Sequence, residues 1–489
     1  MSSTSASGVE IAVLERLEPR TLLSGSTPWG EALAHAIAGE SDIGAVEVLP
    51  GDANRDGQVD GLDYNLWSDN YLAAGAGWEG GDFNGDGLVD GLDYNIWSQY
   101  YQPQPDPAPP DDPVPGSDVT WHTEDLPGGL GLVVLGTDGA DAITVSRSGD
   151  STILITPAGT YTLTETFVSV EVYGFGGNDL LVSISGAAEA LWGGEGIDSF
   201  WADSLDTIAD VEAAEAEWNV HQVTEFYQPT DDPAEYVSLE LAGQDIVDPH
   251  TSSTYADFSG NPLFVDGPEY DDIHQGGVAD CYFLAALSSL AQSDPGIIQQ
   301  MIAPLGDGTY AVRFYGAGQA IYLRIDADLP VLYPSLPYIK YARLSPDGEL
   351  WVALAEKAYA QFRYGQNSYD SLAYGWMDTA YRQITNSTAS RTYTAGVSGE
   401  QLAEYIAGSL QAGHAVSAAS TSTASDPIAF NHAYVVKSIE SAGGQWSVTL
   451  YNVHGQDGFD WDGNRYDGVL TISLEMFRQS FSALCVSLA

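Results

Sequence analysis

The chain has 489 residues and carries 69 Asp and Glu against 15 Lys and Arg, a net charge of −54 at pH 7. At roughly 150 residues per domain the length predicts about three domains, and a hydrophobic fraction of 44% excludes a chain that is disordered throughout. The acidic excess excludes nucleic-acid binding, the lack of a run of about 18 apolar residues excludes a membrane-spanning helix, and two cysteines exclude a disulfide scaffold.

Residues 1–25 are predicted to direct sorting rather than to fold. The sequence LEPRTLLS at 17–24 resembles an N-terminal sorting motif of secreted proteins from certain compartmentalised bacteria. The resemblance implies a secreted or cell-surface location, and a disordered tail or a short amphipathic helix is the alternative. Residues 26–50 would then be a leader to the next module.

Residues 51–68 and 81–98 are two copies of one pattern, displaced by 30 residues. In each copy, oxygen-bearing side chains alternate along a 12-residue loop, glycine occupies position 6, and a short apolar helix follows. Calcium takes about six to eight oxygen ligands from loops of this kind, with the backbone carbonyl used at position 7. The predicted ligands are Asp52, Asn54, Asp56, Gln58, Asp60 and Asp63 in the first loop and Asp82, Asn84, Asp86, Leu88, Asp90 and Asp93 in the second.

The paired loops over 51–102 resemble a type I dockerin, which has Asp rather than Glu at position 12. The resemblance implies structural calcium and docking onto a cohesin-like partner through exposed helix faces. Two Asp-Gly turns in an acidic chain are the alternative, and the match at every ligand position in both copies argues against it. The proline-rich residues 103–117 predict a semi-rigid linker after this module.

Residues 118–215 contain short apolar runs separated by Gly and Asp, which predict strands joined by tight turns. Segments 174–182 and 193–200, and more weakly 136–143, resemble hemolysin-type calcium-binding nonapeptide repeats. The resemblance implies a Gly/Asp-rich, β-roll-like module that could also hold calcium. Gly-Asp turns in a small β-domain are an equally weighted alternative.

Beyond this module, the Ala/Glu-rich residues 206–219 predict one helix, and residues 216–258 are predicted to be a connector. Residues 259–489 mix helical and strand patterns, with the strands concentrated in the C-terminal third. Helical periodicity occurs at 281–293, 350–363, 376–385 and 399–411.

The residues around Cys281 form the densest chemical motif. A Gly-rich turn that contains Gln275 leads into an apolar helical pattern, and Asp280 is the predicted N-cap. Cys281 would then lie in the first turn, where the helix dipole favours the nucleophilic thiolate. A cysteine before an apolar run is, taken alone, more often a buried core residue, which is the interpretation for Cys485.

A nucleophilic cysteine needs a base and a group that orients the base. The downstream histidines are His414, His432 and His454. Residues 434–451 predict a hairpin, and pairing centred on residue 442 puts His432 directly opposite Asn452, close enough for the amide to hold the imidazole. No suitable partner faces His414. The pattern therefore predicts His432 as the base and Asn452 as the residue that orients it.

Residues 259–489 resemble the catalytic core of the calpain family of cysteine peptidases, whose motif QGxxGDCW/F is close to QGGVADCY at 275–282. Further matches are DADLP at 326–330, ELWVALAEKAY at 349–359, NHAY at 431–434 and the segment 467–477. The resemblance implies a papain-like α+β fold with two lobes, about 259–392 and 393–489.

The same resemblance implies roles for individual residues. Cys281 would be the nucleophile, His432 the general base and acid, and Asn452 the orienting residue, while Gln275 would help to form the oxyanion hole. The tryptophan that shields the His–Asn pair in the family is missing, and either His454 or Trp461 could take its place.

The sequence thus predicts a multidomain protein with a small α dockerin-like domain, a Gly/Asp-rich β-roll-like domain and a two-lobed α+β peptidase domain. The expected function is that of a secreted cysteine endopeptidase that acts on protein substrates and is tethered through the calcium module. Two alternatives remain: a catalytically silent scaffold or adhesion protein, and a transferase that passes the acyl group to an amine.

Overall fold

The computed structural model describes residues 49–100 and 119–488. The internal gaps in this description are 56–58, 60, 74, 76, 149, 214, 217, 230–235, 240–245, 334–335, 458–463 and 465. The predicted sorting segment, nearly all of the leader, the proline-rich linker and the predicted ligands Asp56, Gln58 and Asp60 lie outside the described residues. The chain divides into two compact units, Met1–Pro109 and Pro110–Ala489.

In the first unit the two copies of the repeat pack against each other. The helices that follow the two loops are α1 (Gly61–Asp69) and α2 (Gly91–Tyr100). Gly51 and Gly81 have positive φ values of 95° and 92°. A Cβ on Gly81 would lie 2.5 Å from the Cα of Trp67, and one on Gly51 would lie 3.0 Å from the Cα of Trp97. Each copy therefore fits its glycine against the helix of the other copy, so that neither packs alone.

The second unit begins with two β-sheets. Their strands are β1 (Thr120–Leu126), β2 (Gly129–Leu135), β3 (Ala142–Ser148), β4 (Ser151–Thr156), β5 (Gly159–Leu163), β6 (Phe167–Gly176), β7 (Leu180–Ser183), β8 (Ala190–Glu195), β9 (Ser199–Asp203), β10 (Thr207–Ile208) and β11 (Val220–Val223). The sheet orders are β1-β2-β6-β8-β10 and β11-β9-β7-β3-β4-β5. From β6 onward the chain alternates between the sheets and adds a parallel strand at each pass.

Acidic side chains join successive turns of this two-sheet module. Asp179 accepts a hydrogen bond from the backbone N–H of Asp141, and Asp198 accepts one from Asp179, both at 2.9 Å. Each carboxylate thus satisfies a backbone donor of the preceding turn. Among the described residues, no group of three or more His, Cys, Asp or Glu side chains is arranged to hold a metal ion. Calcium binding by the Gly/Asp repeats stays a prediction.

The helix predicted over 206–219 is wrong. Apart from the short strand β10, the described residues of this segment form turns and irregular structure. Asp206 accepts hydrogen bonds from the backbone N–H groups of Glu189 and Asp203, at 2.9 and 2.8 Å. An isolated helix of this length is marginal in water, and these tertiary contacts decide the conformation instead.

The two-sheet module shares a core with the domain that follows it. The shared cluster contains Val182, Ile184, Trp201 and Val223 of the module and Phe226, Ala303, Leu305, Ala311 and Tyr322 of the domain that follows. Beside it, the side chains of Ser199 and His221 each contact Gln300 Oε1 at 2.7 Å. The module is therefore part of the same folded body as the domain and not a separate attachment.

The larger domain consists of a helical half and a sheet half. Its first elements are β12 (Phe226–Pro229), β13 (Tyr236–Leu239), β14 (Thr254–Asp257), α3 (Cys281–Ser293), α4 (Pro295–Gln299), β15 (Ile302–Pro304), β16 (Thr309–Gly316), β17 (Gln319–Asp326), β18 (Asp328–Tyr333), β19 (Leu336–Ile339), α5 (Trp351–Phe362) and α6 (Met377–Thr385). Helix α3 is central, with ten of its residues buried. No helix in the described ranges has the length and apolar character needed to cross a membrane.

The second half is an antiparallel sheet in the order β20-β25-β21-β22-β23-β24. Its elements are β20 (Ala389–Tyr393), α7 (Gly399–Gln411), β21 (Val416–Ser420), β22 (Ala433–Ala442), β23 (Gln445–Asn452), β24 (Val469–Ser473), α8 (Leu474–Ser480) and β25 (Phe481–Ser487). The four helices predicted from periodicity are confirmed within one residue at each end. The sheet already begins at Ala389, slightly before the predicted lobe boundary at 392. Cys485 is fully buried, as expected.

The larger domain also takes in part of the predicted connector. Strand β14 pairs with β18, and the fully buried Lys357 on α5 lies 2.6 Å from Asp248 and 2.5 Å from Asp326. The Lys357 ammonium also donates to the carbonyl of Asp328 at 2.7 Å. Because a buried charge needs partners, Asp248 belongs to the fold, and the domain begins upstream of residue 259.

Candidate active site

The hairpin that carries the predicted base differs in register from the sequence-based expectation. Its turn residues Gly443 and Gly444 both have positive φ, so the loop has two residues and Ala442 pairs with Gln445. A bulge between Val436 and Ser438 then shifts the pairing again. Asn452 therefore lies opposite Tyr434, and the predicted direct opposition of His432 and Asn452 is wrong.

The predicted contact itself is nevertheless present. His432 precedes the first residue of β22, and its Nε2 lies 2.9 Å from Asn452 Oδ1. The same oxygen accepts the backbone N–H of His454 at 3.1 Å, and the amide nitrogen of Asn452 donates to Gln456 O at 3.0 Å. Since a backbone N–H can only donate, this oxygen is the acceptor and Nε2 carries the proton. Nδ1 of His432 is left with a lone pair, as a general base requires.

His454 packs on the imidazole of His432. The two rings are stacked, with centroids 4.2 Å apart and planes inclined by 18°. Of the two residues that could replace the missing tryptophan, His454 occupies this position, while Trp461 lies outside the described residues. Burial, together with His454, lowers the pKa of His432 to about 3, although the bond to Asn452 opposes the shift. The imidazole is therefore neutral near pH 7.

Cys281 is the first residue of α3, as predicted, and it lines the same cleft as His432, a cavity of about 710 Å³. The backbone N–H of Ala433 donates to the thiol, yet burial raises the pKa of Cys281 to about 11, and Asp280 adds to the rise. At this helix start, desolvation thus opposes the stabilisation of the thiolate that the helix dipole predicts.

The side chains of Asp280 and Gln275 are hydrogen-bonded to each other and do not line the cleft. Asp280 precedes α3 but its side chain makes no capping bond; it is buried and accepts a hydrogen bond from Gln275 Nε2 at 2.9 Å. The same nitrogen donates to Val278 O at 2.8 Å. Both amide protons of Gln275 are thus engaged in this arrangement, and its part in an oxyanion hole stays a prediction.

Sequence reasoning missed Ser420. Its hydroxyl accepts the backbone N–H of His432 at 2.9 Å and donates to the carbonyl of Ala429 at 2.6 Å. These bonds fix the backbone from which the imidazole projects. Ser420 lies at the end of β21, more than ten residues before His432, and a lone serine at a strand end carries no recognisable pattern.

Two tyrosines that the sequence does not single out flank the cleft. Tyr364 and Tyr374 are 69% and 81% exposed, and both have positive φ, 58° and 64°. Arg363 lies 4.8 Å from the ring centroid of Tyr364 and donates to the carbonyl of Tyr374 at 2.6 Å. Strained backbone held by neighbours in this way is concentrated at binding and catalytic sites.

Comparison with known proteins agrees with this geometry. Residues 251–469 match the family model of calpain family cysteine proteases. The chain contains a calpain-family cysteine protease domain. The resemblance predicted from the motifs at 275–282, 349–359 and 431–434 is thereby confirmed at the level of the family.

Several calpains are similar to part of the chain. Calpain-13 of Rattus norvegicus is 29% identical over 226 residues, which cover 43% of this chain and 32% of calpain-13. The calpain-1 catalytic subunit of Mus musculus is 32% identical over 152 residues, 28% of this chain and 20% of the relative. The calpain-type cysteine protease DEK1 of Zea mays is 32% identical over 125 residues, 25% of this chain and 6% of the relative. The chain thus spans at most 32% of the length of these relatives.

The protonated thiol of the calpain-like domain leads to a test by alkylation. Since the pKa of Cys281 is about 11, the rate of its reaction with iodoacetamide should rise about tenfold per pH unit between pH 7 and 9, in step with the thiolate fraction. The rate is measured by mass spectrometry of the peptide that contains Cys281. Cys485, which is buried, is the internal control and should react far more slowly. A rate that is constant over this range would instead indicate a resting thiolate–imidazolium pair.

Proposed function

We propose that the protein is a secreted cysteine endopeptidase that hydrolyses protein substrates through Cys281, His432 and Asn452. The observation that carries the proposal is that the thiol and an oriented, neutral imidazole line one open cleft. Nδ1 of His432 takes the thiol proton as sulfur attacks the peptide carbonyl, which gives a thioacyl intermediate. The imidazolium then protonates the leaving amine, and water hydrolyses the thioester.

The hydrogen bonds of Gln275 determine how its side chain could donate to an oxyanion. To donate to the oxyanion beside the N–H of Cys281, Gln275 has to release either Val278 O or Asp280. We expect this release when substrate enters the cleft, because a developing oxyanion is a stronger acceptor than a peptide carbonyl. Val278 O is accordingly the partner that Gln275 gives up.

The test is turnover of an unfolded protein such as reduced casein by the full-length chain. A hydrolase creates new N-termini in the substrate. The rate should fall in proportion to the fraction of Cys281 that is alkylated and reach zero when alkylation is complete. The same assay with an added primary amine separates hydrolysis from transfer, because a transferase forms an amide of that amine in place of a free carboxylate. New termini at an undiminished rate after complete alkylation would contradict the proposal.

A catalytically silent scaffold remains the second candidate, and the protonated thiol favours it. A scaffold would give no new N-termini at any pH at which the fold persists, even though Cys281 still reacts slowly with iodoacetamide. A peptidase whose thiol loses its proton to His432 during attack would turn over casein near pH 7.

We further propose that residues 51–102 form a dockerin-like module that holds structural calcium and docks onto a cohesin-like partner. The second loop supports this assignment. Asp93 accepts the backbone N–H groups of Asn84 and Asp90, both at 2.9 Å, and Asp82 accepts that of Gly87 at 3.0 Å. The buried Oδ1 of Asp82 has no hydrogen-bond partner among the described residues, so an oxygen is available to a hard cation.

Calcium titration of the full-length protein tests the loops. After treatment with EDTA, the protein should bind about two calcium ions through the loops, and D93A should bind one ion fewer. The matched control is D69A, which removes an aspartate at the end of α1 outside both loops and should leave the number unchanged. Isothermal titration calorimetry gives the stoichiometry, and equal stoichiometry for D93A and wild type would contradict the assignment.

The secreted or cell-surface location is proposed from the motif at 17–24 and from its combination with the calcium module. The β-roll-like character of the Gly/Asp module is proposed from the alternation of its chain between two sheets. Any further calcium bound by this module would appear in the same titration as ions in excess of the one that D93A is expected to keep in the first loop.

A further inference from the structure

Two buried carboxyl groups meet beneath the start of α3. Asp280 is 0% and Glu356 1% exposed, and their side chains are in hydrogen-bonding contact. Each has one oxygen with a donor: Asp280 Oδ1 accepts Gln275 Nε2, and Glu356 Oε2 accepts the backbone N–H of Ala342, both at 2.9 Å. The remaining oxygens, Asp280 Oδ2 and Glu356 Oε1, have no donor among the described residues.

Two carboxylate oxygens cannot bond to each other without a proton between them. Burying two adjacent negative charges with no donor would be very costly, whereas one shared proton satisfies both oxygens at once. The geometry therefore requires that the pair hold at least one proton while the domain is folded.

We propose that Glu356 is a positioning residue for the active site: it supplies the shared proton to Asp280, and the pair thereby fixes Gln275 and the first turn of α3 that carries Cys281. The proposal rests on the proposed peptidase function only where its test measures kcat. Glu356 contacts neither the cleft nor the reacting atoms and acts through Asp280.

The surroundings decide which partner holds the proton. Asp280 accepts an amide N–H and feels the nearby Arg363 guanidinium, both of which favour its charged form, although burial raises its pKa to about 6. Burial and the negative charge of Asp280 raise the pKa of Glu356 well above its usual value. Burial raises the pKa of the other titratable groups that interact with the pair, so they stay neutral near pH 7: Cys281, Tyr282, Tyr359 and Tyr369.

The pair is one link in a line of hydrogen bonds that crosses the domain. Glu356 lies on α5, Asp280 precedes α3, and Gln275 donates its own backbone N–H to the carbonyl of Val453 at 2.7 Å. Val453 directly follows Asn452. The line therefore connects the helical half to the strand end that orients His432, and loss of Glu356 should disturb both sides of the cleft.

The test compares E356Q with E356L. The amide of E356Q keeps a donor for Asp280 and an acceptor for Ala342 N–H, but it cannot ionise; E356L has neither. We expect kcat of E356Q on casein to stay within about threefold of wild type and that of E356L to fall at least about tenfold, with the smaller change in KM. The matched control is E404Q, an exposed glutamate on α7.

A second readout does not depend on peptidase activity. Because the pKa of Glu356 is higher in the folded than in the unfolded chain, wild type should lose stability as pH rises above about 4.5 toward the folded value. E356Q lacks this loss, so its Tm should exceed that of wild type by an amount that grows between pH 5 and 8. E404Q should follow wild type at every pH.

Each outcome has a definite meaning. If E356Q loses stability as E356L does at every pH, or if its Tm difference from wild type does not vary with pH, the shared proton is refuted. If the Tm pattern appears but E356L retains full kcat, the pair is structural only and the positioning role is refuted. If wild type does not turn over casein, the proposed function fails, while the Tm pattern still decides whether Glu356 holds the proton.

Discussion

Replacing His432 with alanine should lower kcat for casein at least about 10³-fold, the scale seen when the base of a nucleophile–base pair is removed. The reason is that the thiol of Cys281, with a pKa of about 11, is protonated near pH 7, and His432 is the only histidine among the described residues that line the cleft. Fold should be retained, because the backbone at residue 432 is held by Ser420 rather than by the imidazole. Initial rates and circular dichroism measure the two effects.

The matched control is H414A. His414 is one of the three downstream histidines in the sequence, but it does not line the cleft, and its removal should change kcat less than about twofold. Equal losses in H414A and H432A would show that the imidazole of His432 is not the base. An unchanged kcat in H432A would exclude the whole mechanism.

Replacing Trp201 with alanine should destabilise the second unit by about 3–5 kcal/mol, the usual loss when a large buried aromatic side chain is truncated. Trp201 is fully buried in the core that the two-sheet module shares with the protease domain, and its ring lies 4.2 Å from that of His221. Because the core is shared, activity and strand content should be lost at the same urea concentration. Activity and far-ultraviolet circular dichroism along one urea titration test this.

The control for Trp201 is W192A in the same module. Trp192 is half-buried on β8, lies outside the shared core and stacks on Tyr173 with ring centroids 4.4 Å apart. Its loss should cost about 1 kcal/mol and leave the midpoint for activity nearly unchanged. Two separate transitions in W201A, with the protease domain unaffected, would show that the module folds independently.

The sequence predicts most of the features that depend on a local residue pattern, such as the positions of helices. The periodicity at 281–293 and 399–411 places α3 and α7 correctly, because the apolar positions of a helix recur every three to four residues whatever surrounds it. The contact of His432 with Asn452 and the position of Cys281 in the same cleft as His432 likewise agree with the motifs that contain these residues.

What the sequence does not predict depends on contacts between distant residues. The bulge after Val436 changes the register of the β22–β23 hairpin, and no pattern in the sequence predicts it. The pKa of Cys281 is decided by burial and by Asp280, neither of which the position at a helix start reveals. Asp206 accepts hydrogen bonds from the backbone N–H groups of Glu189 and Asp203. These contacts stabilise turns in a segment whose composition is typical of a helix.

The buried ammonium of Lys357 limits how the chain can be shortened. A fragment cut at residue 259, where the sequence pattern changes, would lack Asp248, which lies 2.6 Å from that ammonium, and would leave Asp326 as its remaining acidic partner. Such a fragment would leave the buried ammonium with one carboxylate instead of two and should be less stable than the longer domain. We therefore expect natural trimming that leaves a stable domain to cut on the N-terminal side of Asp248.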